Sequence, residues 1–362
     1  MALRLIEMVL REKDGDEVRE HLEEHTMLEY RQIRLPDGEV LVRILLDVEH
    51  SEGVLDFLEK RYADAVGNRV VILPVEATLP HPKPEPAVSP EQSQLEEKPP
   101  ERISRHELYE DIKDGARCSR VYLAMAMLAT VVAAIGLQQN SVAIIIGAMV
   151  IAPLLGPNVA LSLSTTLGDM PLLRSALLTA LAGIAASMVL SVLFGVLVHV
   201  DPALSEVASR TQVKMGDIAV ALASGCAGTL AFTTGVSAAL IGVMVAVALL
   251  PPLVTFGLML GGGHPEPALG ALSLFLVNLI CVNLAGVITF LAQGIRPASW
   301  WEKDRAQKAT RIAIGLWGGL LAGLIGMILW FQGLSMVRET VKHGVEKITK
   351  GAIHEDSNQH RQ

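Results

Sequence analysis

GAMVIAPLLGP, Gly147 to Pro157, lies inside an apolar stretch that runs from Ser141 to about Ser164. About 20 mostly apolar residues suffice to cross the hydrocarbon of a bilayer. Yet Pro153 and Pro157 fall in the middle of this stretch. Proline lacks a backbone N–H and clashes with the preceding turn, so a helix opens there. Open backbone at membrane depth is tolerated only where protein buries it or a watery cavity lines it. The stretch therefore predicts a broken membrane helix whose freed main-chain groups face other protein or a solute.

The same stretch recurs. Shifted by 95 residues it meets GVMVAVALLPP, Gly242 to Pro252, with six of eleven positions identical. Shared Val and Leu are common in membrane sequence; the pairs Gly147/Gly242, Met149/Met244 and Pro157/Pro252 carry the match. It continues at Val159/Val254 and Leu163/Leu258. Each copy belongs to a unit of three apolar segments. An odd number of crossings sets consecutive copies upside down relative to each other. Proline-interrupted segments at corresponding places in inverted halves point to a transport site. Half-helix N-termini there present positive dipole ends, and C-termini present carbonyls.

The candidate substrate or ion contacts are Pro153, Gly156, Pro157, Asn158 and Ser162 at the first interruption. Pro251, Pro252 and Thr255 are their counterparts at the second, with Thr233 and Asn278 completing the lining. Ser164, Thr229, Thr234 and Asn283 are further neutral groups nearby. The competing reading of each proline is a packing kink with no ligand.

Seven apolar segments are long enough to span: 121–138, 141–164, 171–199, 217–235, 238–260, 268–293 and 312–332. The fourth, rich in Gly, Ser and Thr, also fits a re-entrant segment. Lys113, Arg117 and Arg120 precede the first span, and Arg296, Lys303, Arg305, Lys308 and Arg311 follow the sixth. Positive charge collects on the cytoplasmic side, so both flanks are expected inside, six crossings apart. Trp300 and Trp301 suit an interfacial anchor. A seventh crossing puts the tail outside, against the placement its Arg338, Lys342, Lys347 and Lys350 favour. Gly315, Gly319 and Gly323 form a small-residue stripe, for packing within the chain or between copies.

No Asp, Glu, Lys, Arg or His lies centrally in any of these segments. Intramembrane ionisable groups mark proton relays, so a carboxylate-based proton pump is not expected. A general acid, base or nucleophile is missing from the same region, which argues against an enzyme.

The chain ahead of the spans is different. Residues 1–119 hold 16 Lys and Arg against 27 Asp and Glu, an acidic head on an apolar body. The absence of an early apolar run argues against a cleaved secretory signal. ALRLIEMVLR reads as a strand, and KDGDEVREHLEEH as a helix with Val18 and Leu22 on one face. MLEYRQIRL and GEVLVRILLDVE flank Pro36-Asp37-Gly38 as a hairpin. SEGVLDFLEKRYA follows as a helix burying Val54, Leu55, Phe57 and Leu58, and RVVILPVEA closes as a strand. The order βαββαβ predicts a ferredoxin-like split β-α-β sandwich. His21, His25 and His50 stand isolated, so the head reads as a regulatory or oligomerising module.

Seven prolines between Pro80 and Pro100 make an extended linker. Ser104 and Glu107 have capping-box spacing for a helix with Leu108, Ile112 and Ala116 on one face. That helix is either an interfacial surface helix or a coupling element between head and membrane body. Cys118, Cys226 and Cys281 are scattered, so no disulfide framework, zinc site or other metal or cofactor is expected. Nothing basic and aromatic-interleaved suggests nucleic acid.

Asn140 to Asp169, NSVAIIIGAMVIAPLLGPNVALSLSTTLGD, resembles the bacterial and archaeal membrane family labelled domain of unknown function 389. AAIGLQQNS before it and ISRHELYEDI at the juxtamembrane helix fit the same pattern, over roughly residues 102–295. The resemblance implies a prokaryotic integral membrane protein and supplies no activity, substrate or site.

The fold expected is a polytopic all-α membrane domain of about seven spans, with inverted three-helix repeats and proline-broken helices, behind a small α+β head. Its divisions are 1–79 head, 80–101 linker, 102–119 amphipathic helix, 120–335 membrane domain and 336–362 polar tail. The function expected is an inner-membrane transporter or channel for a small ion or solute, with a cytoplasmic head and a homo-oligomeric state. The alternative is a non-transporting membrane receptor or scaffold whose head senses a ligand or partner.

Overall fold

The computed structural model describes residues 3–22, 27–62, 69–75, 78, 103–234 and 238–295, with isolated positions between 315 and 326. The head is built from β1 (Leu3–Arg11), α1 (Glu12–Leu22), β2 (Glu29–Arg34), β3 (Glu39–Asp47), α2 (Val48–Tyr62) and β4 (Val70–Val75). A one-turn 3₁₀ segment, Pro36–Gly38, joins β2 to β3, with Gly38 at φ 75°. The four strands form one antiparallel sheet in the order β2-β3-β1-β4. That interleaving is the split β-α-β arrangement.

Its core follows from alternation, since successive strand residues point to opposite faces. Ile6, Met8 and Leu10 pair across β1 and β3 with Ile44, Val42 and Val40, and all six are buried. Val18 and Leu22 of α1 and Val54, Leu55 and Leu58 of α2 cover them, as the helical spacing predicts. Phe57 is half-buried instead, stacked on His21 at 5.3 Å between ring centroids. Arg4 occupies an inward position of β1 and is itself buried.

The helix α3 (Arg105–Gly115) explains that arginine. Ser104 caps it as expected, its Oγ accepting from the Glu107 N–H at 3.3 Å. The other half of the predicted capping box is absent. The Glu107 carboxylate accepts from Arg4 instead, Nη2 to Oε1 at 2.7 Å and Nε to Oε2 at 2.9 Å. A charge-assisted two-point pair outcompetes a single bond to a helix-end amide. Leu108, Ile112 and Ala116 form the buried face, as the spacing predicts.

The same helix is tied to the membrane body. Ile103 N–H donates to Thr233 O at 2.8 Å, and the Thr179 hydroxyl donates to Ala116 O at 2.7 Å. The Tyr109 hydroxyl donates to Asp169 Oδ2 at 2.6 Å. Burial, together with that carboxylate, pushes the Tyr109 phenol up to about 12.

The body contains α4 (Arg120–Gln138), α5 (Val142–Ile151), α6 (Leu155–Leu167), α7 (Met170–Leu197) and the short α8 (Ser205–Ala208). It continues with α9 (Met215–Thr233), α10 (Ala238–Gly261) and α11 (Pro265–Ala292). Four helices, α4, α7, α9 and α11, are long and apolar enough to cross a membrane, and the pair α5–α6, bent by 54°, makes a fifth. Seven spans were expected from the sequence; four to five are present among the described residues. The α9 segment, despite its Gly, Ser and Thr, is one continuous helix. The linker 80–101, the anchors Trp300 and Trp301, nearly all of the seventh segment and the tail lie outside the described residues.

The helix ends sort into two groups. At one end lie α3, the start of α7 at Asp169 and the end of α9 at Thr233. At the other, Ser205 Oγ donates to Asn140 Oδ1 at 3.0 Å, beyond the end of α4. The Gly195 backbone meets Gly261, and Thr211 meets Gly270. These approaches depend on glycine, which lets backbones touch. A Cβ at Gly261 would overlap the Val192 carbonyl, whereas one at Gly147 would meet nothing within 4 Å. Replacing Gly261 with Leu is therefore expected to lower the melting temperature in detergent, by a destabilisation of about 1–3 kcal/mol or more. Gly147→Leu should leave it unchanged; equal effects of the two would contradict the α7–α10 contact.

Candidate functional site at the helix break

The first proline stretch does break. α5 ends at Ile151, residues 152–154 are non-helical, and α6 resumes at Leu155. Ala152 adopts φ −68° and ψ 120°, the extended conformation that a following proline imposes. Pro153 thus makes the break. Pro157 does not: it is the third residue of α6, in the first turn, where a missing N–H costs no helical bond.

The second stretch departs from expectation. α10 runs through Pro251 and Pro252 as one helix. The reason is visible at two positions. Ala248 stands where the aligned copy has the breaking Pro153. Pro252, having no N–H, leaves the Ala248 carbonyl without its helical donor. Asn278 of α11 supplies one, Nδ2 to Ala248 O at 2.7 Å. A side-chain amide replaces the absent backbone donor, and the helix stays whole.

Neutral polar side chains gather where α6, α9 and α11 meet. Asn158 Nδ2 donates to Leu154 O at 2.7 Å, satisfying a carbonyl beside the break. Asn283 Nδ2 donates to Asn158 Oδ1 at 3.0 Å and to Leu279 O at 2.8 Å. The Ser162 hydroxyl lies 3.1 Å from Asn158 O and 3.2 Å from Asn283 O. Gly286 faces Ser162 and Thr229, and a Cβ there would overlap the Ser162 hydroxyl. Thr229 returns its own hydroxyl to Gly225 O at 2.9 Å.

Other sequence-predicted positions serve elsewhere. Gly156 packs against the Gly115 backbone and lets α6 touch the end of α3. Thr233 bonds within α9, Oγ1 to Leu230 O at 2.7 Å, and its carbonyl receives Ile103. Ser164 bonds back to Leu161 O at 3.0 Å, and Thr234 is exposed. Thr255 is fully buried, and neither its hydroxyl nor Asn278 Oδ1 has a hydrogen-bond partner among the described residues.

The break faces a void of about 10 Å³ walled by Tyr122, Leu154, Asn158, Leu249 and Phe275, among others. That is roughly the space of one water. The sequence predicts a passage near the breaks; packing across α4, α6, α7, α10 and α11 leaves this small void there instead. The hydroxyl of Tyr122, one of these walls, is buried and has no hydrogen-bond partner among the described residues. An unpaired buried polar group of this kind costs about 1–3 kcal/mol. Sequence reasoning missed Tyr122, because a tyrosine at the start of a span reads as an interfacial anchor.

The sequence model of the family described as domain of unknown function (DUF389) matches residues 149–284. An uncharacterized protein of Methanocaldococcus jannaschii is 36% identical over 321 residues, covering 86% of this chain and 97% of that relative. The chain belongs to the DUF389 family. No solved structure matches it. The DUF389 match includes Pro153, Asn158, Ser162, Pro252, Asn278 and Asn283, so the break and the amide that repairs α10 both lie inside it. Tyr122 and the head lie before it.

The Asn278 bond makes a specific prediction. Asn278→Leu should destabilise the protein by about 1–3 kcal/mol in thermal unfolding, by orphaning Ala248 O. Pro252→Ala restores a backbone N–H to that carbonyl. The same Asn278→Leu change should then cost markedly less, a coupling readable in a double-mutant cycle. Strict additivity would show that Asn278 does not act through Ala248.

Proposed function

We propose that this DUF389 protein is a multi-pass transporter or channel of a prokaryotic inner membrane for a small ion or solute, seen with its pathway closed. The observation that carries the reading is the void at the α5–α6 break, walled in part by Tyr122, whose buried hydroxyl has no hydrogen-bond partner among the described residues. A helix bundle built only for stability has no use for that cost. A pathway needs polar atoms left free for the species that passes.

Helix direction supports the inverted repeat. Thr179 of α7 bonds Ala116 ahead of α4, and Gly183 one turn further along α7 meets Tyr122 inside α4, so the two advance together. Contacts advance together along α9 and α11, from Gly225–Val282 to Thr229–Gly286. They do so again along α7 and α10, from Ser191–Gly257 to Gly195–Gly261. A three-residue turn between α10 and α11 reverses the chain. In this reading α4, α7 and α10 run one way and α9 and α11 the other, so the two units are upside down. With α10 counted as a sixth crossing beside the four helices and the bent pair, residue 292 returns to the side of α3, and the basic residues at both flanks favour the cytoplasm for that side. The ferredoxin-like head then regulates the pathway or assembles copies of the chain, and the protein carries out no catalysis.

The tight packing around the break favours a second reading, a receptor or scaffold whose membrane part only anchors. Vesicle flux decides between them. Protein-loaded liposomes should pass at least one small ion or solute faster than empty ones, and Asn158→Ala or Thr255→Ala should change that rate without unfolding the protein. Flux equal to empty vesicles across a screen of common ions would favour the receptor reading.

A further inference from the structure

The head meets α3 at a second, separate constellation. Asp56 and Glu59 are three residues apart on α2 and so share a face. His106, at the start of α3, lies against both. Its Nε2 is 3.1 Å from Asp56 Oδ1 and 3.6 Å from Glu59 Oε2. One potential ligand atom from each of the three falls within 4.8 Å of the others. Metal bonds to histidine nitrogen and carboxylate oxygen of about 2.1 Å place neighbouring ligand atoms roughly 3.0–3.4 Å apart. Two edges are thus close to a coordination polyhedron already. The third closes through Glu59, which is exposed and free to change rotamer.

A cavity of about 460 Å³, mostly apolar in its lining, opens beside the triad. Glu59 and His106 form part of its wall, with Glu110 and Asp111 nearby over a floor that includes Leu55 and Ile72. Asp111 makes no ion pair among the described residues. The cavity supplies an entry path and room for water in the remaining coordination positions.

We propose that Asp56, Glu59 and His106 bind one divalent cation of the zinc or manganese class, across the joint between the head and the juxtamembrane helix. Nitrogen and carboxylate donors suit such ions. The competing account is a plain polar cluster, with the imidazole between two carboxylates and Arg105 Nη2 also on Asp56 Oδ1 at 3.1 Å. For the metal to bind, Nε2 presents its lone pair and Arg105 moves off that oxygen. The ion then pins α2 to α3. It acts at the one described helix that holds both Arg4 of the head and Thr179 of the membrane body.

Titration of the full chain in detergent micelles tests this, using Zn²⁺ and separately Mn²⁺ after chelator treatment, with calorimetry and melting as readouts. One equivalent of at least one of these ions should bind and raise the melting temperature. Glu59→Gln, an exposed and isosteric change, and His106→Ala should each weaken binding at least tenfold. Glu110→Gln, on the cavity rim, should alter it less than threefold. No binding to the unsubstituted chain would overturn the site. So would binding that survives both Glu59→Gln and His106→Ala.

Discussion

Pro252 has no N–H to give to Ala248 O, and in a bilayer no water can take its place. This constraint organises the membrane body. Every main-chain carbonyl at depth must find a donor, or the helix that owns it must yield. The chain contains both outcomes. At Pro153 the helix yields, and Asn158 satisfies the Leu154 carbonyl beside the gap. At Pro252 it does not yield, because Asn278 reaches across from α11. An unbroken α10 can then lie against α7, α11, α9, α5 and α4 as the central helix of the bundle.

Much of this architecture was legible in the sequence, and the misreadings have physical causes. The head was readable because periods of 2 and 3.6 residues and a Pro-Asp-Gly turn are local signals. The buried face of α3 was readable for the same reason, but the partner of Glu107 was not. Arg4 is 103 positions away, and nothing local announces that an arginine on an inward strand position will leave the sheet for it. The repeat was legible as well, yet it misled. Its shared proline, Pro157 or Pro252, breaks neither helix; the one that breaks α5 from α6 is Pro153, which Ala248 replaces in the second copy. That difference is plain when the two copies are set side by side, and the fold gives it meaning.

The polar residues divide in the same way. Asn158, Ser162, Thr229 and Asn283 come together because α6, α9 and α11 meet through Gly286. Gly156 and Thr233 instead serve the docking of α3. The tight packing at the break was illegible, since it depends on side chains from five helices meeting at one void. The helix α3 now has a defined place between these regions. It holds the head through Glu107 and Arg105, and the body through Tyr109, Ala116 and Ile103. The bonds and packed side chains from α2 through α3 to α6 and α7 are thus continuous.

The central claim is that the gap opened by Pro153 is a position for a small polar species, held ready by atoms the protein itself leaves unpaired. The most direct measurement is an experimental density map of the protein in lipid nanodiscs, at a resolution that shows ordered water. The account predicts a discrete feature beside the break, within hydrogen-bonding distance of the Tyr122 hydroxyl. A dry void, with that hydroxyl bonded to a neighbouring protein group, would contradict it.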